Sequence, residues 1–278
     1  MALYVYFLVY PMIDAVRLSF FEWSGFRTEE PEFIGFDNYI TMFTQDPVFW
    51  RAFGNSVMWV LLSLAVPLTI SLLLALGLNR QMLGRNLLRS VFYLPVVFAA
   101  ITVGAMWRWL YNPNLGLFNQ LLEDVGLGSW AQIWLGDPRF AFYSIFMASV
   151  WQAVGFSMVL LLAGLQNVPH DLVEAAKIDG ANAWHLFRNV TVPALRPTFA
   201  VVVILTIINS LKVFDLIVGM TGGGPAQSTQ VLALWSYTQS FSNNNFGQGG
   251  AVATVLLIVS LALVIPYMAW IMKREEER

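Results

Sequence analysis

Five charged residues stand in stretches that are otherwise apolar: Asp14, Arg17, Arg108, Lys212 and Asp215. A charge at the centre of a bilayer costs about 2.5–3.5 kcal/mol on insertion scales, so each invites a functional explanation wherever such a stretch crosses a membrane. Lys212 and Asp215 are three apart, which on a helix makes them neighbours on one face, with Asn209 a turn below. Two readings are open: a polar face lining a passage for a solute, or an intrahelical ion pair that snorkels toward water. Trp151, Gln152 and Phe156 form a second candidate group, offering ring stacking and an amide to a ligand. A buried aromatic and a helix–helix amide bond are the plainer account of them. The two histidines, His170 and His185, have no acids at ligand spacing and read as surface or interface residues, not a metal site. The absence of cysteine removes disulfides, thiolate metal sites and cysteine nucleophiles together. No GxxxxGK[ST] phosphate loop occurs; Gly222-Gly223-Gly224 lacks the lysine and reads as a flexible turn.

The elements that must carry these residues follow from composition. Of 278 residues, 58% are hydrophobic and 12% charged, with net charge -2; mean hydropathy is +0.64. Soluble domains run nearer a quarter charged. A soluble enzyme and a disordered chain are therefore excluded, and so is a nucleic-acid binder, for want of a basic face. What remains is an all-α integral membrane protein. A bilayer-crossing helix needs about 20 largely apolar residues, and the sequence predicts six: 3–21, 57–78 with a kink at Pro67, 90–110, 140–165, 198–220 and 251–272. Lys212 then lies about 15 residues in from the cytoplasmic end of span five, or roughly 22 Å, in the outer third of the bilayer. The first apolar run begins at Leu3 with no basic stretch ahead and no small-residue cleavage pattern behind, so no removable signal peptide is expected. Its abrupt start points to a short cytoplasmic segment preceding it.

Basic residues orient the spans. Arg80, Arg85 and Arg89 lie between spans two and three, Lys177, Arg188 and Arg196 between four and five, and Lys273, Arg274 and Arg278 after six. The opposite side holds Arg27, Arg51 and Arg139 among the acids Glu29, Glu30, Glu32, Asp46, Glu123 and Asp137. The positive-inside rule puts both termini in the cytoplasm. Trp23, Trp50, Trp107 and Trp109 fall at outer ends and Trp270 at an inner one, as interfacial rings do. The outer loop 112–139, with Trp130 and Trp134, is long enough to fold on the membrane surface.

The longest cytoplasmic connection, 169–197, has helical structure of its own. Asp171 and Glu174 are spaced for a capping box. Leu172 to Ile178 continue as a short helix, and Gly180 supplies the stop because glycine tolerates the positive φ that ends helices. Asn182 caps a second short helix with Trp184, Phe187 and Val190 on one face, and Pro193 and Pro197 close the segment. A docking element and an ordinary amphipathic connector both fit this pattern.

Glu174-Ala175-Ala176, Asp179-Gly180-Ala181, Phe187, Val190, Pro193 and Pro197 resemble the EAA loop of inner-membrane permeases of binding-protein-dependent ABC importers. The family pattern is roughly EAA-x3-GA-x5-F-x2-I-x-LP. The chain departs from it with Val190 for isoleucine and Val192 for leucine, both of which keep an apolar face. The resemblance covers nearly the whole chain and extends to the carbohydrate permeases of the maltose and glycerol-3-phosphate type. Residues 33–39, FIGFDNY, look like that group's FxGLxNY element. Asn55, Arg89 with Pro95, Gly116-Leu117-Phe118-Asn119, and Phe214-Asp215 followed by Thr221-Gly222-Gly223-Gly224-Pro225 fit in order.

The resemblance implies a type I ABC importer permease fold, six transmembrane helices with a cytoplasmic coupling helix. Residues 1–50 would give the first helix and outer loop, and 51–278 the core with coupling loop 169–197. It implies a multi-pass protein of a bacterial or archaeal cytoplasmic (inner) membrane that imports a sugar or sugar-like solute by alternating access. Its partners would be a second homologous permease (a heterodimer), two cytoplasmic ABC ATPase subunits, an extracytoplasmic solute-binding protein and membrane lipid, with no nucleic acid. The chain would be no enzyme and bind no cofactor; ATP and Mg would be used by the ATPase subunits. Glu174 would contact the ATPase and Gly180 allow the tight turn, with Ala175, Ala176, Asp179, Ala181, Phe187 and Pro193 completing the coupling set. Trp151, Gln152, Phe156, Asn209, Lys212 and Asp215 are the candidates for the substrate pathway.

A six-helix secondary carrier or channel uncoupled from ATP is the alternative. A water or glycerol channel needs two NPA motifs, however, and only Asn112-Pro113-Asn114 occurs, in an outer loop. No internal repeat of the carrier kind is visible. A rhomboid-like protease would need a GxSG nucleophile and a histidine within a span, and the chain has neither.

Overall fold

The computed structural model describes residues 2–26 and 28–276. Arg27 and Arg278, both used above for orientation, lie outside the described residues. In hydrocarbon a backbone can satisfy its polar groups only within a helix or a closed barrel, and the apolar runs are helices. A helical run over residues 2–18 (α1) leads to Phe21–Glu22 (β1), paired antiparallel with Glu32–Phe33 (β2), and then to Asp37–Gln45 (α2). Pro47–Asn79 (α3) starts on Asp46. One oxygen of Asp46 accepts the amides of Val48 at 2.9 Å and Phe49 at 3.0 Å, and the other accepts Trp235 Nε1 at 2.7 Å. This cap sets α3's start well ahead of the predicted residue 57.

The third predicted span is not one rod. Arg85–Val97 (α4) and Ala100–Leu110 (α5) meet at 100°. Pro95 has no N–H to continue the ladder, the last turn of α4 tightens to 3-10, and Phe98 and Ala99 are extended. Leu117–Asp124 (α6) belongs to the outer loop. Ala141–Gln166 (α7) follows, within a residue of its prediction at both ends. The cytoplasmic loop carries His170–Ile178 (α8), and a continuous helix Ala183–Leu211 (α9) runs out of it. After a break come Asp215–Met220 (α10), Leu232–Tyr237 (α11), and Phe246–Glu276 (α12).

Among the described residues α3, α7, α9 and α12 are long and apolar enough to cross a membrane alone, and the bent α4–α5 pair brings the number to five. At 1.5 Å per residue α1 reaches about 25 Å, short of a hydrocarbon core of about 30 Å. Length and composition thus give five spans where the sequence predicts six.

Span five differs most from expectation. Pro193 and Pro197 do not close the loop; both lie inside α9. A π turn at Phe187–Thr191, closed by the Val192 amide on the Phe187 carbonyl, re-sets the hydrogen-bond ladder just before Pro193 removes a donor.

Lipid tails give helices no hydrophobic reason to associate, so close packing of small residues and interhelical hydrogen bonds must hold the bundle. Ser71 Oγ on α3 donates to the Val154 carbonyl of α7 at 2.9 Å. A Cβ on Gly155 would collide with the Phe92 carbonyl at the end of α4, and one on Gly164 with the Thr198 side chain of α9. Gly104 of α5 lies against Gly219 of α10, where a Cβ would come within 3.2 Å of backbone.

Three asparagines fasten the outer side. Buried Asn38 donates to the carbonyls of Ser19 (3.0 Å) and Phe21 (2.9 Å), tying α1 to α2. Asn55 on α3 donates to the carbonyls of Ser228 (2.8 Å) and Gln230 (2.7 Å), and Arg51 to that of Ala226 (2.7 Å). The glycine turn at 222–224 is therefore the start of a pinned loop, contrary to the flexible turn expected. Gly222 at φ 61° and Gly223 at φ 95° supply its left-handed backbone. Asn119 holds the loop 112–139. Its amide donates to the Pro113 and Gln132 carbonyls at 3.1 Å each, and its oxygen accepts Gln132 N at 3.3 Å and Trp134 Nε1 at 2.8 Å.

Replacing Asn119 by leucine strands these partners and is expected to cost about 2–4 kcal/mol, felt locally. Hydrogen exchange of 112–139 should accelerate while α3 and α7 stay protected; unchanged protection would show that other contacts hold the loop.

Candidate functional site

Gln152, Phe156, Asn209, Lys212 and Asp215 line one cavity of about 470 Å³, within the range of small-ligand sites. α3 contributes Trp59 and Ser63, the α4–α5 break Val96 and Ala100, and α7 the row Ser149, Gln152, Phe156 and Ser157. α9 contributes Thr206, Asn209 and Ser210, and the break after it Lys212 and Phe214. Trp151 is not in this wall. One residue turns a helix by about 100°, and beside Gln152 that carries Trp151 round to Trp107, with ring centroids 6.0 Å apart.

Gln152 does two things. Its Nε2 donates to the Phe98 carbonyl at 2.9 Å, the carbonyl at the 100° bend, while the residue also faces the cavity. An amide from α7 thus satisfies backbone that the broken span three leaves without an intrahelical partner. Several hydroxyls are committed to their own helices: Ser149 to the Phe146 carbonyl (2.7 Å), Thr206 to Val202 (2.7 Å) and Ser210 to Thr206 (2.6 Å). Their donors are used and their acceptor lone pairs remain. Sequence reasoning passed over these serines and threonines. The signal was present in span four, where 149, 152, 153, 156 and 157 share one helical face.

Lys212 and Asp215 are not neighbours on one helix. α9 ends at Leu211, Lys212 caps it at φ -93° and ψ 7°, Phe214 takes φ -146° and ψ -63°, and Asp215 opens α10. Each charge sits at the helix end that suits it, the cation by the terminal carbonyls of α9 and the carboxylate by the first amides of α10. The intrahelical ion pair does not form. Among the described residues the ion pairs are Arg17–Asp14 at 2.9 Å and Arg139–Asp137 at 2.6 Å.

The loop 169–197 forms the second candidate region. α8 starts at His170 with Pro169 flanking it and no side-chain cap, so Asp171 lies within the first turn and the expected capping box is absent. The other end is fully closed. Gly180 N donates to the Lys177 carbonyl at 3.1 Å and Ala181 N to that of Ala176 at 2.9 Å, with Gly180 at φ 79°. This double closure needs a left-handed residue, which glycine supplies without strain. Asn182 then caps α9, its Oδ1 accepting His185 N at 2.9 Å. Phe187 and Pro193 lie in α9 at the π turn and just beyond it, half-buried, while Glu174, Ala175 and Asp179 are exposed. Leu172, Ile178 and Trp184 present apolar side chains that the chain leaves uncovered, Ile178 at 85% exposure.

The chain matches the family described as binding-protein-dependent transport system inner membrane component over residues 66–274. A probable ABC transporter permease of Pyrococcus horikoshii is 35% identical over 275 residues, covering 99% of this chain and 92% of its own. The trehalose/maltose transport system permease of Thermococcus litoralis is 34% identical over 262 residues, covering 94% and 87%. The crystal structure of a bacterial ABC transporter involved in import of the acidic polysaccharide alginate has a chain that superposes with a TM-score of 0.84. It is 25% identical, over 99% of this chain and 92% of that one.

Gln152→Leu keeps side-chain volume and strands the Phe98 carbonyl, at a cost of about 1–3 kcal/mol. The cysteine-free sequence allows unique spin labels at exposed Leu87 on α4 and Met106 on α5. The distance distribution between them should broaden in the variant; an unchanged distribution would show that packing alone sets the bend.

Proposed function

The chain belongs to the family of binding-protein-dependent transport system inner membrane components and is a permease of the sugar ABC importer type. On that premise we propose that it forms half of a pathway for a sugar or sugar-like solute, opened and closed by ATPase subunits through the loop 169–197. One observation carries the reading. α9 runs without interruption from the cytoplasmic loop to the cavity wall, Ala183 to Leu211, a helix of 29 residues or roughly 43 Å. A displacement imposed at α8 crosses only the short turn 179–182 before it reaches a stiff rod whose far end carries Asn209 and Lys212 into the cavity.

The loop is built as a docking element. Leu172, Ile178 and Trp184 are exposed apolar groups on a surface turn, a pattern that marks interaction sites more often than tethers. Glu174, Ala175, Ala176, Asp179, Gly180 and Ala181 form or end the helix that would seat in an ATPase subunit. Phe187 and Pro193 stiffen the passage into α9. ATP and Mg belong to those partner subunits, and no phosphate-binding loop occurs in this chain. A second homologous permease would close the other half of the pathway, and an extracytoplasmic binding protein would deliver solute. The distribution of basic residues supports a reading in which both termini face the cytoplasm and α1 makes a sixth, shorter crossing. In the cavity, Gln152, Asn209, Lys212 and Asp215 offer donors and acceptors and Phe156 a ring face, a combination suited to a polyhydroxylated solute.

Gly180→Glu puts a side chain into open space but forces φ 79° on a non-glycine residue, at about 1–2 kcal/mol, and adds a charge at the docking turn. ATP-dependent uptake by the assembled complex in proteoliposomes should fall to background while membrane insertion is retained. Normal uptake by a stably inserted variant would sink the coupling assignment, and uptake by this chain alone without ATP would sink the importer reading.

A further inference from the structure

A second cavity, of about 420 Å³, lies beyond the first at the outer end of α5. α10 links the two, with Asp215 at its first residue in the inner wall and Met220 at its last in the outer one, about 7.5 Å along the helix. Arg108 is the one charged side chain in the outer wall, and no acid faces it there. Three of the other polar side chains are already engaged through their oxygens. Tyr111 Oη donates to the Ser144 carbonyl at 3.2 Å, Asn112 Oδ1 accepts the amides of Asn114 and Leu115 at 3.0 Å each, and Thr221 Oγ1 is within 2.8 Å of Thr229 Oγ1. Arg108 makes no hydrogen bond or ion pair with any described residue. The other described arginines of the outer side are occupied, Arg51 on the Ala226 carbonyl and Arg139 on Asp137.

An unengaged guanidinium in a cavity of ligand size offers a planar fork of donors, which matches a carboxylate or another oxyanion in bidentate geometry. We propose that the outer cavity is a binding site for an acidic sugar unit, whose anionic group Arg108 grips. This deepens the permease reading and rests on it: the solute class is set to anionic carbohydrate, and the selecting residue lies outside the inner cavity. Lys212 and Asp215 oppose each other in charge within the inner wall, so the net preference for an anion arises at Arg108.

The test uses the intact permease assembly in nanodiscs, without ATP, titrated with digalacturonate and with neutral maltose while the fluorescence of Trp107 and Trp109, which flank Arg108, is followed. Digalacturonate should bind at least about tenfold more tightly at low salt, and the preference should shrink as salt rises. Arg108→Gln should bring the two sugars to within about twofold, chiefly through loss of digalacturonate affinity, and Arg108→Lys should keep part of the preference. Equal affinities in the parent protein, a salt-independent preference or a preference that survives Arg108→Gln would each overturn the proposal. So would loss of binding-protein attachment in Arg108→Gln with sugar affinities unaltered, which would make the cavity a docking contact. The parent protein's salt titration and the lysine variant decide the matter if Arg108→Gln is not recovered from membranes. ATP-driven uptake of maltose with no anion preference defeats this inference and leaves the importer standing; absence of ATP-driven uptake does the reverse.

Discussion

A backbone carbonyl in hydrocarbon has no water to turn to, so every interruption of a helix at that depth must be answered from within the protein. This constraint explains where the polar residues sit. Span three breaks at Phe98, and Gln152 reaches across from α7 to take up the freed carbonyl. Span five breaks after Leu211, with Lys212 at the carbonyl end of one helix and Asp215 at the amide end of the next. Both breaks face the same cavity. Irregular backbone is tolerated there because it is enclosed by protein against a cavity and not exposed to lipid, and the few polar side chains of a mostly apolar wall, Gln152 among them, answer it.

The pieces freed by the two breaks are bound to each other. α5 and α10 meet at Gly104 and Gly219, where a Cβ on either residue would be tight at 3.1–3.2 Å, and the association of helices in lipid depends on such close approach. The end of the bundle that carries α8 is built in the opposite way. α9 absorbs Pro193 with a π turn and continues unbroken, and the Gly180 closure joins α8 to it through a short, fully bonded turn. The bundle therefore joins one long continuous helix to a region assembled from short, separately fastened helices.

The motifs that signal carbohydrate permeases on the outer side turn out to be fastenings. Asn38 within FIGFDNY, Asn55 in the first turns of α3 and Asn119 after Gly116 each donate from one side-chain amide to two backbone carbonyls outside their own helix. An asparagine suits this task because one short side chain can cross-link two strands of irregular backbone. These residues position the cavities without facing the inner one.

Much of the architecture is legible in the chain itself. Long uncharged runs give helices because hydrocarbon permits little else, and α7 falls within a residue of its prediction. Gly180 and Asn182 act as stop and cap because those signals are local, needing only φ > 0 or one short side chain. Local signals also mislead: Pro193 and Pro197 read as terminators yet sit inside α9, since a π turn upstream accommodates them. The break at 212–214 has no proline or glycine to announce it. After it, α10 lies with Gly219 against Gly104 from another span. The break also puts Lys212 and Asp215 on different helices, where sequence spacing had placed them on one face. Composition and periodicity thus determined that the chain is a helical membrane protein, because the energy of burying backbone in lipid is a property of each segment alone. Where helices break, and which side chains meet across the breaks, was decided only in the folded bundle, because those choices depend on partners far apart in sequence.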